Sequence, residues 1–308
     1  MVLLSISTIF TETGESASAV HTVSMMRILL TGASGFIGSH LLTHLQEHDV
    51  VALTRSPLQC SAAHVTNVVA THADSTAIRG ALNGCHSVMH LAAQSNPQRA
   101  NADPVECIEC NVTFTTRLAH LASLEEVPHF VFTSSALVYG APAVLPITEH
   151  TLPTPNGVYA ASKFAAEVVL QQSHPHVSVL RLFNVFGPGQ TGTLVPALIE
   201  QFSAGKQPTL QGDGSQVRSF LFVEDCVDAL RRAVEVGHVG TLNIAGHKAS
   251  ILEVARYVAD AIGVVADPVF GPSRPNDVPE NWASHQAAFD VLGWAPTTSL
   301  KDGIARTL

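Results

Sequence analysis

The chain is short of charge. Lys, Arg, Asp and Glu make up only 13% of its 308 residues, and the acidic ones prevail, leaving a formal net charge of −9. A general nucleic-acid binder would carry a basic surface, so that class is excluded. Any anionic ligand must be held by local positive groups against the field of the whole molecule. Long hydrophobic runs are also missing. None reaches the roughly 18 residues that a membrane span needs, which predicts a soluble protein with no membrane partner. The five cysteines lack regular spacing, so no disulfide framework is implied and a cytoplasmic location is the expectation. Cys107 and Cys110 form one C-x-x-C without a second pair and read as ordinary packing cysteines. Histidine is abundant by contrast, at 16. His40, His44 and His48 share a face of an expected helix, but no carboxylate or cysteine cluster accompanies them. They read as a solvated face, and no metal site is expected. Residues 1–24 have no basic start and only a short apolar stretch broken by Ser and Thr. They make a poor signal peptide and read as a disordered tail or an over-extended start.

What is present is a core. Hydrophobic residues make up 46% of the chain. From Arg27 to Arg181, short continuous apolar runs (RILLT, then Val50–Leu53, Val65–Ala70, Ser87–Ala92, His129–Ser134 and Val177–Arg181) alternate with helical stretches at Phe36–Glu47, Ile78–Leu82, Pro104–Leu124 and Gly157–Gln172. Strands that are apolar throughout belong to a parallel sheet covered on both faces. The expected fold is therefore α/β, a doubly wound parallel Rossmann-like sheet. After Arg181, glycine and proline become frequent. Helices remain clear at Glu224–Val236 and Ile251–Ile262, and a strand at Thr241–Ala245 is expected to return to the main sheet. Residues 25–181 thus read as a dinucleotide-binding domain and 182–308 mainly as a smaller, interleaved substrate lobe. There are no internal repeats and no low-complexity linker.

The first strand leads into Gly32-Ala33-Ser34-Gly35-Phe36-Ile37-Gly38, with glycines spaced G-x-x-G-x-x-G. Glycines permit a tight turn and close backbone approach to a pyrophosphate seated on the helix N-terminus. Between a strand and a helix of the first sheet unit, this is a dinucleotide site, with Gly32, Ser34, Gly35, Phe36, Ile37 and Gly38 around the cofactor. An acidic residue at the end of the second strand would bind the 2′-hydroxyl of NAD. Here Thr54 and Arg55 stand instead, and a guanidinium pairs well with a phosphate. NADP(H) is therefore favoured, with NAD(H) the alternative if Arg55 stacks on adenine or points to solvent. Asp74, after the third strand, is placed to meet the adenine edge.

Of three tyrosines, only Tyr159 has a lysine four residues on, Lys163. On a helix the two share a face. A phenol of pKa near 10 is a poor base at neutral pH, and an adjacent ammonium lowers that value. Tyr159 can then move a proton to or from an oxygen as hydride moves. Thr133, Ser134 and Ser135 at the end of the fifth strand can supply a hydroxyl to the reacting oxygen.

TGASGFIG, HLAAQSNP, NVTFTTRL, TSSALVYG, YAASK, RLFNVFGPG, RSFLFVEDCVDAL and RPNDV follow in the order found in the extended short-chain dehydrogenase/reductase family, also called the NAD-dependent epimerase/dehydratase family, and the chain resembles it from Met26 onward. The resemblance implies Tyr159, Lys163 and Ser135 as catalytic residues, with Lys163 also on the nicotinamide ribose. It puts Ala92, Ala93 and Ser134 along the cofactor, with Asn111 as a supporting helix residue. Members mostly act on nucleoside-diphosphate sugars, which implies Gln94, Asn184, Arg218 and Arg274 at the substrate. The alternative for each arginine is an ion pair with Asp213 or Asp277. Ala136 and Leu137 stand where 4,6-dehydratases carry an Asp-Glu pair, which argues against dehydration and against decarboxylases needing that Glu. A 4-ketoreductase and a 4-epimerase remain, the reductase slightly preferred on Thr54 and Arg55. A reductase of a non-nucleotide ketone and a non-catalytic dinucleotide sensor stay open. The resemblance also implies a homodimer through the helices at Pro104–Leu124 and Gly157–Gln172.

Overall fold

The computed structural model describes residues 24–59, 62–273 and 278–308. All of the expected N-terminal tail except Ser24 lies outside them. The first half runs β1 (Arg27–Thr31), α1 (Phe36–His44), β2 (Asp49–Thr54), β3 (Val65–Val69), α2 (Ser75–Leu82), β4 (Ser87–His90), α3 (Pro97–Ala102) and α4 (Pro104–Ile108). A π-helical segment, Glu109–Thr113, continues α4 into α5 (Phe114–Leu124). Then come β5 (His129–Ser135), α6 (Val158–Ser173), β6 (Val177–Leu182), β7 (Val185–Phe186), α7 (Leu194–Ser203), β8 (Thr209–Gln211), β9 (Val217–Phe222), α8 (Val223–Val236), β10 (Gly240–Ile244), β11 (His247–Ser250), α9 (Ile251–Ile262), β12 (Val269–Gly271), β13 (Glu280–Asn281), α10 (Gln286–Leu292) and α11 (Leu300–Ala305).

Seven strands form one parallel sheet in the order β10-β6-β5-β4-β1-β2-β3. The order turns back on either side of β1, which is the doubly wound arrangement expected. The strand predicted to return does so as β10, alongside β6. Successive side chains alternate between faces. Ile28, Leu30, Val50, Met89, Val131 and Leu180 pack into one core with α1, α8 and α9. Leu29, Val51, Val88, Phe130, Phe132 and Val179 pack into the other with α2, α5 and α6. Each such side chain contributes about 1.5–3 kcal/mol by leaving water. A smaller sheet of β11, β9 and β13, with β7 against β9, and a ribbon of β8 and β12 lie outside the main sheet.

Several details differ from expectation. Helix α1 ends at His44, three residues early, and α3 was not foreseen; its signals are the Asn96 cap on the Arg99 nitrogen and Pro97 at the first turn. The histidine face is the larger correction. His40 and His44 clasp the Glu224 carboxylate at 2.7 and 2.6 Å, and His48 is buried beside Glu235. The face is packed on α8, not solvated. Both His40 nitrogens meet acceptors, Glu224 and the Pro188 carbonyl at 3.0 Å. Among the described residues no metal-binding group forms.

Burial raises the Glu224 pKa, but hydrogen bonds from His44 and His40 more than offset it, so the net shift is downward. A carboxylate lowered in the folded state stabilises above its unfolded pKa, and that contribution is lost as pH falls through the folded value. Glu224→Gln should therefore cost about 1–2 kcal/mol near neutral pH. The gap between wild-type and variant melting temperatures should close below the ordinary Glu value of 4.5. Thermal melts across that range check this.

Candidate active site

Three chain segments converge at the C-terminal ends of β1, β4 and β5. After β1, Gly32 takes a left-handed backbone (φ 76°) and passes under the β4 end, where a Cβ would lie 2.7 Å from the Ala92 nitrogen. Gly38, inside α1, would drive a Cβ into the Gly32 carbonyl. The turn is thus closed to side chains, and α1 begins at Gly35 with no side-chain cap. Its first backbone N–H groups stay available to an anion. This cradle fits a pyrophosphate, with Ser34 exposed at its rim and Phe36 and Ile37 half-buried behind it. A cleft of about 540 Å³ adjoins it, lined in part by Ala33, Ser34, Thr43, Gln59 and His64.

The expected 2′-phosphate contacts fare unevenly. Thr54 is buried at the end of β2, and its hydroxyl donates to the Ser56 carbonyl (2.8 Å) and accepts from Asn67 (2.7 Å). It holds the turn and is not presented to a ligand. Arg55 is exposed, and its charge is felt at Cys110 on the π-helical segment, where it opposes the burial that raises that thiol's pKa. Asp74 caps α2, accepting from the Ala77 nitrogen at 2.9 Å, a role the sequence alone did not single out.

The β4 end is set by a buried chain of polar groups. Thr115 gives its proton to the Asn111 carbonyl (2.7 Å), so it must accept from His90 Nε2 (2.8 Å). His90 Nδ1 then accepts from Thr31 (2.6 Å), whose oxygen accepts from the Ala92 nitrogen (3.2 Å). The ring is neutral; burial, then the charge of Lys163, holds its pKa down to about 3. Asn111, in the π-helical segment, grips the next residues, accepting from the Gln94 nitrogen (2.8 Å) and donating to its carbonyl (3.0 Å) and to Ser162 (2.9 Å). Asn111 therefore shapes the Ala92–Ala93–Gln94 wall from behind and does not itself face the cleft. Gln94 is buried, and its Nε2 has no partner among the described residues. An unmet buried donor costs about 1–3 kcal/mol, and it is a group a ligand could satisfy.

Tyr159 and Lys163 lie one turn apart on α6. The Tyr159 hydroxyl lies near Ser135, at the end of β5, closely enough for that side chain to act on its pKa. Burial pushes its pKa up to about 12, with Ser135 pulling the other way. Lys163 is only 2% exposed, with Nζ 4.1 Å from the centre of the Phe132 ring. Burial brings its pKa down to about 7, opposed by the charge of Glu167. Ser134 is corrected: neighbouring strand residues face opposite ways, and its hydroxyl donates to Glu167 on the inner side. After Ser135, Ala136 is buried and Leu137 is 45% exposed, so both positions are apolar. Cys107 and Cys110 are free thiols, as expected.

Of the other expected substrate residues, Asn184 lies between β6 and β7, and Arg218 is on β9 of the smaller sheet. Asn184 is exposed and donates to the Ser219 carbonyl (2.8 Å). Arg218 donates to the carbonyls of Val217 (2.8 Å) and Pro279 (3.2 Å). Asp213 accepts from the Ser215 nitrogen (2.9 Å). Arg274 and Asp277 lie outside the described residues. Glu167, Arg181 and Tyr139 were not foreseen. Glu167 follows Lys163 by the same four-residue step that relates Lys163 to Tyr159, and that was the signal available.

Comparison with known proteins agrees with this geometry. The family model described as "NAD dependent epimerase/dehydratase family" matches residues 28–245. A UDP-glucose 4-epimerase of Mycolicibacterium smegmatis is 35% identical, over 92% of this chain and 97% of that protein. The UDP-N-acetylglucosamine 4-epimerase of Methanobrevibacter ruminantium superposes with a TM-score of 0.87 at 25% identity, over 92% and 97% of the two chains. The structure of MoeE5 in complex with UDP-glucuronic acid and NAD does so with a TM-score of 0.84 at 33% identity, over 91% and 97%. With the cradle, the Ser135–Tyr159–Lys163 set and these similarities in hand, the chain is a member of the NAD-dependent epimerase/dehydratase family.

Proposed function

We propose that the protein is a 4-epimerase of UDP-sugars that retains NAD through the catalytic cycle. The observation carrying this reading is the Ser135–Tyr159–Lys163 set beside the glycine cradle, with apolar Ala136 and Leu137 where elimination chemistry would need carboxyl groups. The slight preference for a reductase rested on Thr54 and Arg55, and Thr54 is committed to its own turn. Two 4-epimerases are among the relatives above, and the MoeE5 complex holds NAD. NAD⁺, held by the glycine cradle, would supply reversible hydride transfer at C4 of the sugar, with return to the opposite face of the ketone inverting that carbon. Tyr159 takes the proton of the 4-hydroxyl as hydride leaves and returns it to the ketone oxygen as hydride comes back, so no net oxidation occurs. Ser135 hydrogen-bonds the same oxygen. Lys163 would stabilise the phenolate and hold the nicotinamide ribose. Gln94 Nε2, Asn184, Arg218 and Arg274 are assigned to the nucleoside-diphosphate sugar. Guanidinium groups suit its phosphates and compensate the molecule's negative charge.

The test is to denature the purified protein and identify the released dinucleotide by mass spectrometry. Tightly held NAD is the expected result. An empty site that binds NADPH well and NADH poorly would replace this reading with the 4-ketoreductase, for which exposed Arg55, with no carboxylate at the end of β2, is the specific support.

The homodimer is proposed on the outer faces of α4–α5 and α6. Val105 is 65% exposed, and Ile108, Leu124 and Val168 are also exposed there. Val168→Arg places a charge in the middle of that surface. It should convert a wild-type dimer to monomer in sedimentation velocity.

A further inference from the structure

Beneath Lys163 lies an ion pair that the proposed chemistry does not use. Arg181 donates from Nε to Glu167 Oε1 (3.1 Å) and from a terminal nitrogen to Oε2 (2.6 Å). Ser134 donates to the same carboxylate. Arg181 also donates to the Tyr139 hydroxyl (2.9 Å) with its guanidinium over that ring, and Tyr139 donates to Asn243 (2.7 Å). Glu167 and Arg181 are both almost completely buried. A buried pair of this kind is weak evidence for stability, because desolvation offsets the attraction and an apolar pair can serve as well. Its position gives it another use. Tyr159, Lys163 and Glu167 follow at four-residue steps on α6, one face and about 6 Å of rise apart. Three hydrogen bonds, two from Arg181 and one from Ser134, hold the carboxylate in place.

We propose that Glu167 is a positioning residue that keeps the buried Lys163 protonated, with Arg181 and Ser134 locking its carboxylate in place and Arg181 moderating its charge. This rests on the assignment of Lys163 as the partner of Tyr159. The groups around Lys163 are few. Phe132 offers a ring face, His90 is neutral, Cys107 is a buried thiol, and Tyr159 is the group served. Glu167, one turn along α6, is the carboxylate whose charge acts on Lys163, raising its pKa against burial. Without it, burial would take the ammonium below the value of about 7 that it has with Glu167 in place, and Tyr159 would lose the cation that makes its phenolate accessible.

The test uses the full chain with lysine labelled with carbon-13 at Cε. The sequence has four lysines, and Lys163→Met identifies the resonance of interest. Glu167→Gln should lower the Lys163 titration midpoint, with about a tenfold loss of proton affinity. Arg181→Gln removes the cation that moderates the Glu167 charge and should raise the midpoint. The alkaline limb of kcat should move in the same directions while KM changes little. Opposite shifts support the proposal. If one variant does not fold, the sign of the other decides. Midpoints that superimpose on the wild type, with kcat lowered equally at every pH, would reduce the pair to a structural role. The titration needs no substrate. A chain that turns over no UDP-sugar would sink the epimerase reading and leave this one standing or falling separately.

Discussion

Tyr159→Phe should lower kcat by about 10²- to 10⁴-fold, the range general acid–base catalysis supplies, or about 3–5 kcal/mol of barrier. The ring remains, so packing on α6 and retention of the dinucleotide should not change. Only the oxygen that meets Ser135 is removed. In the chain alone burial holds Tyr159 at about 12, too high for a base at neutral pH. The cation of Lys163 and the positive nicotinamide ring of bound NAD⁺ act to bring it down. Activity should fall on the alkaline side as Lys163, at about 7 in the chain alone, loses its proton. Steady-state kinetics with the dinucleotide content measured in parallel checks this. A variant that keeps kcat within about tenfold of wild type would mean that another group moves the proton.

Gly38→Ala should remove the dinucleotide. The new methyl would strike the Gly32 carbonyl and lie 2.9 Å from the Ala33 Cα. Neither partner can yield, because Ala33 is buried and α1 is anchored by Leu41 and Leu42 in the core. Overpacking of this kind costs about 1–3 kcal/mol, and here the displaced backbone is the cradle itself. The purified variant should hold less than about a tenth of the wild-type dinucleotide, a loss of at least about 1.4 kcal/mol in binding. Gly80 is the control. It lies in α2, where a Cβ would have none of the described residues within 4 Å. Alanine there should stabilise by up to about 1 kcal/mol through helix propensity and leave the dinucleotide in place. Calorimetry and absorbance of the released cofactor measure both.

The parts of the site legible in the sequence are those written in local spacing. The glycine turn, the four-residue step from Tyr159 to Lys163, and the all-apolar strands each depend on residues a few positions apart, and the fold follows from their order. What was not legible depends on distant pairs. Glu224 meets His40 and His44 across 184 and 180 positions, so a helix face that looked solvated is packed. Thr54 turned out to be occupied because Asn67, on the neighbouring strand, reaches it. Ser134 and Ser135 look equivalent in TSSALVYG, but the alternation of a strand sends one to Glu167 and leaves the other at Tyr159. The Glu167–Arg181 pair joins two motifs that were read for other residues. Asn111 was expected as a support, yet its means, a grip on the Gln94 backbone from a π-helical turn, needed the third dimension.

The central claim is that this chain inverts C4 of a UDP-sugar with no dinucleotide consumed. Its most direct test is to incubate the purified protein, without added cofactor, with UDP-glucose, UDP-N-acetylglucosamine or UDP-glucuronic acid and follow the anomeric protons by NMR. The predicted result is conversion of at least one of them to its 4-epimer, reaching the same ratio when started from either epimer. No interconversion of any of the three, together with NADPH-dependent loss of a 4-ketosugar, would contradict it.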